Sequence, residues 1–114
     1  MIELRRYQLA DQSTPVTDWL QALRDVRARA QIEVRLRRVS TGNFGDCKSV
    51  GEGVSELRIN RGPGYRVYFG WDGKLLVILL GGGTKKRQQS DIQSALRHWR
   101  AYKARKAAGR TRRN

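Results

Sequence analysis

The segment Glu56–Phe69, ELRINRGPGYRVYF, decides the fold. Apolar and polar residues alternate on both sides of a Gly-Pro-Gly centre, the pattern of two strands joined by a turn. Leu57 and Ile59 share one face with Tyr65, Val67 and Phe69. A loop from Arg61 to Tyr65 predicts a register in which Ile59 faces Val67 and Leu57 faces Phe69. Arg58 then lies opposite Tyr68, and Asn60 opposite Arg66. A one-residue slip would set arginines against core residues, so burial favours this pairing. The face with Arg58, Arg66 and Tyr68 is basic and aromatic, where a solvated hairpin ordinarily carries mixed charge.

Downstream, Asp72-Gly73 is a two-residue hairpin signal leading into a strand from Lys74 to Leu80. Its core, LLVILL at 75–80, is apolar on both faces and belongs inside a sheet. After GGGT, the spacing of Ile92, Ala95, Leu96, Trp99 and Tyr102 predicts a helix. Upstream, residues 43–53 read as loop. A helix from about Asp25 to Thr41 carries Ala28, Ile32, Leu36 and Val39 on one side, and Gly42 stands at its end. Arg24, Arg27, Arg35, Arg37 and Arg38 fall on its other sides, most of them as solvated surface. A shorter helix opens at STPVTDWLQAL, with Ser13 or Thr14 as cap, Pro15 in the first turn and Asp18 against the positive helix end. IELRRYQL at the start reads as a strand.

The expected fold is α+β. An antiparallel sheet, made of the N-terminal strand plus a three-stranded meander, packs with two N-terminal helices and one C-terminal helix, as one helical layer on one sheet layer. Residues 1–104 form a single domain, and residues 105–114 a basic flexible tail without apolar periodicity.

A chain of 114 residues with 30% charged and 39% hydrophobic residues suits one compact domain. No apolar run approaches the ~20 residues that span a bilayer. The first residues lack a secretory pattern, and the single cysteine, Cys47, excludes an internal disulfide. The expected location is the cytoplasm. The net charge of +14 implies a polyanionic partner. Residues 84–114 hold eleven Lys or Arg against one acid, Asp91, a net of +10 that leaves +4 for residues 1–83.

Metal ligation needs clustered donors, and one histidine, one cysteine and scattered acids do not supply them. No metal or other cofactor is expected. His98 reads as a helix residue at the surface or partly packed, and Cys47 lacks an activating neighbour. GGGTKK lacks the G-x-x-x-x-G-K-[ST] spacing of a nucleotide-binding loop. Its lysines, placed where a strand gives way to a helix, still offer cations to a phosphate. Arg58, Arg66 and Tyr68 on one sheet face, with Lys85 and Lys86 at its end, suggest an anion-binding groove whose arginine forks match phosphate. Such a groove has a route to catalysis, because RNA carries its own nucleophile in the 2′-OH. The protein would align that hydroxyl, neutralise charge growing on the phosphoryl oxygens and help move protons. A lysine or tyrosine whose pKa is lowered among cations would serve the last task.

GVSELRINRGPGYRVYF followed by LLVILLGGGTKKRQQSDIQSALRHW resembles the HigB-like addiction-module killer proteins of the RelE/ParE toxin superfamily. The elements that carry the resemblance are E-L-R, G-P-G-Y-R-V-Y-F, G-G-x-K-x-x-Q and D-I-x-x-A. The likeness extends to TPVTDWLQAL and stops near Lys103. It implies the toxin of a type II toxin–antitoxin pair, a ribosome-dependent mRNA endoribonuclease neutralised by a small helix-turn-helix antitoxin. By position, Arg66 would stabilise the scissile phosphate, Arg58 would contact or activate the RNA, and Lys85 would be a further catalytic cation. Tyr68, Lys86, Arg87, Lys48 and Arg61 are the expected RNA-binding residues, with mRNA and ribosomal RNA as partners and no membrane. Thr84 and Lys86-Arg87 depart from the usual pattern of this branch. The alternatives are a ParE-type poison of DNA gyrase on the same fold, and a nucleic-acid-binding module without catalysis.

Overall fold

The computed structural model describes residues 1–112. Its elements are β1 (Glu3–Arg6), α1 (Pro15–Ala22), α2 (Val26–Ser40), β2 (Cys47–Gly51), β3 (Val54–Ile59), β4 (Tyr65–Asp72), β5 (Leu76–Thr84), a 3₁₀ turn (Lys85–Arg87) and α3 (Gln88–Arg112). The fold is α+β, with two N-terminal helices and one C-terminal helix about a single five-stranded sheet of order β1-β5-β4-β3-β2.

The make-up of the sheet and its layers differs from the expectation in three details. The sheet has an additional strand, β2, in the stretch read as loop; it pairs antiparallel with β3 across the two residues Glu52 and Gly53. Cys47, Lys48 and Ser49 are exposed, so β2 has no apolar alternation to betray it, and backbone pairing at the sheet edge forms it. β1 runs parallel to β5, with Arg5 opposite Ile78, which makes the sheet mixed. Helices cover both faces. Val16 and Leu20 of α1 and Ala28, Ile32, Leu36 and Val39 of α2 pack with Leu57, Ile59, Tyr65, Val67, Phe69, Val77 and Leu79 on the first face. Ala95, Leu96 and Trp99 of α3 pack with Tyr7, Val54, Tyr68, Ile78 and Leu80 on the second. The doubly apolar LLVILL run is what demands this second layer.

The hairpin keeps its predicted faces but shifts its register by two. Leu57 pairs with Val67, Arg58 with Arg66, Ile59 with Tyr65 and Glu56 with Tyr68. The loop is residues 60–64, closed by bonds from Arg61 N to Ile59 O and from Gly64 N to Arg61 O. Gly62 and Gly64, at φ of 51° and 78°, make the reversal, which frees Tyr65 to pair with Ile59 and Thr84 and bury its ring.

β5 begins at Leu76 and runs on through the glycines to Thr84. Gly82 and Gly83 are packing sites within this strand. A Cβ at Gly82 would collide with the Trp19 ring of α1, and one at Gly83 with the Asp91 carboxyl group of α3. Glycine lets helices close on both faces here.

α2 begins where expected, with the Asp25 side chain accepting from Ala28 N at 3.0 Å. Among its arginines, Arg35 is structural: it donates to the carbonyls of Arg58 (2.6 Å) and Phe44 (3.1 Å) and so ties α2 to the hairpin. α3 stays helical to Arg112, through most of the stretch read as a flexible tail. Arg105 caps the Tyr7 ring at 4.9 Å and donates to Gln8 O at 2.9 Å, and Lys106 pairs with Asp72, so the helix is anchored past Lys103. Arg113 and Asn114 lie outside the described residues.

Candidate RNA-binding site

Alternation along β3 and β4 brings Glu56, Arg58, Arg66 and Tyr68 onto the second face, at the end where α3 begins. Arg58 and Arg66 sit directly opposite each other, an arrangement that repels unless a counter-charge intervenes. Glu56 supplies it. Arg58 Nε donates to Glu56 Oε1 at 2.8 Å, and Arg66 Nε lies 3.8 Å from the same oxygen, an ion pair beyond hydrogen-bond reach. Gln88, the first residue of α3, donates Nε2 to both carboxyl oxygens, at 3.1 and 2.9 Å. Glu56 has no exposed surface and Arg66 only 7%. Arg58 and Gln88 thus hydrogen-bond the Glu56 oxygens and Arg66 stands in ion-pair range, which suits the buried carboxyl group to holding the arginines and leaves it no path to a substrate proton.

From this anchor Arg66 reaches toward the hairpin loop. Its Nη1 lies near Gly64 and approaches Tyr65 O at 3.4 Å. Lys85 meets the same loop, its N donating to Gly64 O at 2.8 Å. Arg66, Lys85, Arg61 and Asn60 line a shallow, polar cavity of about 340 Å³ around Gly62–Gly64. Arg61 leans away toward α2, 3.9 Å from Asp25. The cavity therefore offers one buried guanidinium, one exposed lysine and a second guanidinium on its rim. Arg58 stands beside them with 29% of its side chain exposed. Such a set can grip a phosphodiester from two sides and neutralise charge that grows on its oxygens.

Tyr68 requires a correction. Its side chain is fully buried in the core under α3, so it cannot form the floor of an open groove. Burial, with Glu56 and Asp91 nearby, raises its phenol pKa, opposite to what proton transfer at neutral pH needs. Its hydroxyl has no hydrogen-bond partner among the described residues. Lys86 and Arg87 are exposed on the 3₁₀ turn next to Lys85. Lys48 is exposed on the edge strand, on the same face and opposite Glu56 in register. His98 is elsewhere, half-buried and stacked on Tyr7 at 5.1 Å, and burial lowers its pKa.

Three participants received no role from the sequence: Glu56, Gln88 and Asp91. Among the described residues one carboxyl oxygen of Asp91 is buried without a hydrogen-bond partner beside Gly83, and burial raises its pKa against the opposing pull of Arg87. The signal was present. Glu56 opens the E-L-R element, Gln88 closes G-G-x-K-x-x-Q and Asp91 opens D-I-x-x-A, and the fold gathers all three around Arg66 and Tyr68.

Residues 18–100 match the family model described as Phage derived protein Gp49-like (DUF891). The chain belongs to the Gp49-like family. It is also 52% identical, over 77 residues, to an uncharacterized protein of Haemophilus influenzae, a match that covers 68% of this chain and 78% of that protein. The cluster from Glu56 to Asp91 lies wholly within the Gp49-like stretch, whereas β1 and the end of α3 lie outside it. Among the described residues no helix is long and apolar enough to cross a membrane.

Proposed function

We propose that this protein is the toxin of a type II toxin–antitoxin pair, HigB-like in character, and cleaves mRNA on the ribosome without a metal ion. The observation that carries the reading is Arg66, buried, directed by Glu56 and opening with Lys85 onto a polar cavity. The association of the Gp49-like family with toxin–antitoxin modules supports it. A substrate 2′-OH attacks the adjacent phosphorus and the bond to the 5′-oxygen of the next nucleotide breaks, giving a 2′,3′-cyclic phosphate and a 5′-hydroxyl. Arg66 holds the non-bridging oxygens as their charge grows, Arg58 contacts the same strand, and Lys85 adds a further cation at the cavity. Lys86, Arg87, Arg61 and Lys48 extend the positive surface along the RNA. The cavity is shallow, so a flexible free strand meets few contacts that order it. The decoding site supplies that order, and the cationic surface docks on ribosomal RNA.

The test is cleavage of a defined message in a purified translation system, with cut sites mapped in the presence and absence of ribosomes. Cuts within codons that require ribosomes are expected. An intact message from folded protein, together with DNA damage in cells, would overturn the reading in favour of gyrase poisoning. Salt-dependent RNA binding with no cuts under either condition would reduce the protein to a binding module.

A further inference from the structure

The second sheet face bears another cavity, at the far edge from the polar cluster and larger, about 420 Å³. Its floor is apolar, made by Ile78 with Tyr7 and Tyr102. Its lining includes four basic residues, Arg5, Arg6, Arg105 and Lys106, and no acid, although the Arg6 guanidinium turns to the first face, onto Thr17 and Glu33. Their counter-charges stand outside it: Glu3 pairs with Arg5 at 2.9 Å, Glu33 with Arg6 at 3.3 Å, and Asp72 with Lys106. Side-chain exposures of 56% for Arg5 and 61% for Glu3 make that pair easy to exchange for another carboxylate.

The aromatic faces decide between kinds of ligand. Tyr7 has His98 stacked on its ring and the Arg105 guanidinium over it, and Tyr102 is stacked on Trp99 at 5.5 Å. With these ring contacts already made, the cavity favours an aliphatic side chain over a stacked nucleobase. The cavity also adjoins an open sheet edge. Among the described residues β1 pairs only with β5, and Glu3 N and Tyr7 N donate to the carbonyls of Leu75 and Leu79. By the alternation of a strand, the N–H groups of Leu4 and Arg6 point away from the sheet.

We infer that this edge and cavity dock an extended acidic segment of a partner protein, which pairs with β1, seats an aliphatic side chain over Ile78 and sets carboxylates against Arg5 and Arg105. Naming that partner as the antitoxin rests on the toxin–antitoxin reading above; the docking chemistry does not. An added strand sends alternate side chains to the α3 side, where the cavity opens. Arg5, Tyr7, Tyr102 and Arg105 all lie outside the residues that match the family model, so the dock is built mainly from other parts of the chain than the polar cluster.

Fluorescence anisotropy on the full chain tests this with a labelled dozen-residue peptide of alternating glutamate and leucine. The comparison probes are its serine-for-leucine and glutamine-for-glutamate versions and an RNA oligomer of equal charge. The acidic apolar peptide is expected to bind about tenfold tighter than either peptide control, since both anchor and charge contribute. Arg5→Glu and Arg105→Glu are each expected to weaken it about fivefold or more, while Lys85→Ala changes it by less than about twofold. Circular dichroism establishes that each variant is folded, and Arg5→Glu, on the edge strand, serves if Arg105→Glu loosens α3. Equal weakening by Lys85→Ala would expose general charge attraction and overturn the inference. So would RNA binding that falls with Arg5→Glu and Arg105→Glu while peptide binding does not. Message cleavage by the same variants bears on the nuclease reading alone, so the two readings fail separately.

Discussion

At the start of α3, Arg66 is buried, Glu56 has no exposed surface, and Gln88 fastens the pair to the helix. Toward the other end of the same helix, Arg5, Arg105 and Lys106 stand exposed around an apolar floor, paired with Glu3, a backbone carbonyl and the mostly buried Asp72. Both regions are basic, yet among the described residues only the first sets a buried cation against a fully buried carboxyl group. A guanidinium that cannot swing away is preorganised for charge developing at one place, which is a catalytic property. Exposed cations over aliphatic surface adapt to a partner and set how fast and how selectively it docks. The charge total of +14 does not distinguish these uses; burial does.

The sharpest way to break the comparison is Glu56→Ala. It leaves Arg58 and buried Arg66 facing each other without a counter-charge, and the expected cost is about 3–5 kcal/mol of stability by denaturant unfolding. Cleavage should vanish with it. A fully stable, active variant would mean that Glu56 does not hold the arginines. Lys85→Ala separates chemistry from folding. Lys85 is exposed, so stability should move by less than about 0.5 kcal/mol, while cleavage falls about 10–100-fold in single-turnover assays.

The other end predicts a pH effect. Burial lowers the His98 pKa from its ordinary 6.5, so the folded state binds fewer protons than the unfolded one. The resulting stability is complete above 6.5 and is lost as pH falls through the lowered folded value. Thermal melts should show Tm dropping below about pH 6.5, and His98→Gln should flatten that part of the slope. The smallest expected effect is Tyr68→Phe. It removes a buried hydroxyl that has no hydrogen-bond partner among the described residues, so stability should hold or rise by about 1 kcal/mol. Cleavage should be unchanged. A large loss would return Tyr68 to the site.

Period-two alternation placed Arg58 and Arg66 on one face and the core residues on the other, and helical spacing found all three helices. Face assignment survives a register shift of two, which is why the hairpin's chemistry was legible although its pairing was not. The register depends on Gly62 and Gly64, whose backbone angles no side-chain pattern encodes. β2 was invisible because its residues bury little and pairing with β3 forms it. Tyr68 was misjudged because β5 is apolar on both faces, which already required a helix over the second one; taken with the α3 stripe, that demand would have buried Tyr68. Glu56 escaped because an acid between two arginines looks like surface mixing until its burial is known. The end of α3 lacks periodicity, yet Arg105 and Lys106 find partners on Tyr7, Gln8 and Asp72, which are far away in sequence.

The central claim is that a buried, directed Arg66 performs phosphoryl chemistry on mRNA. Its most direct test is the single-turnover cleavage rate of ribosome-bound message by Arg66→Ala, beside wild type, with both proteins verified as folded by thermal melting. The account predicts a rate at least about 100-fold lower, the scale for loss of a preorganised charge-stabilising group. A folded Arg66→Ala protein that cuts the same sites at the wild-type rate would contradict it.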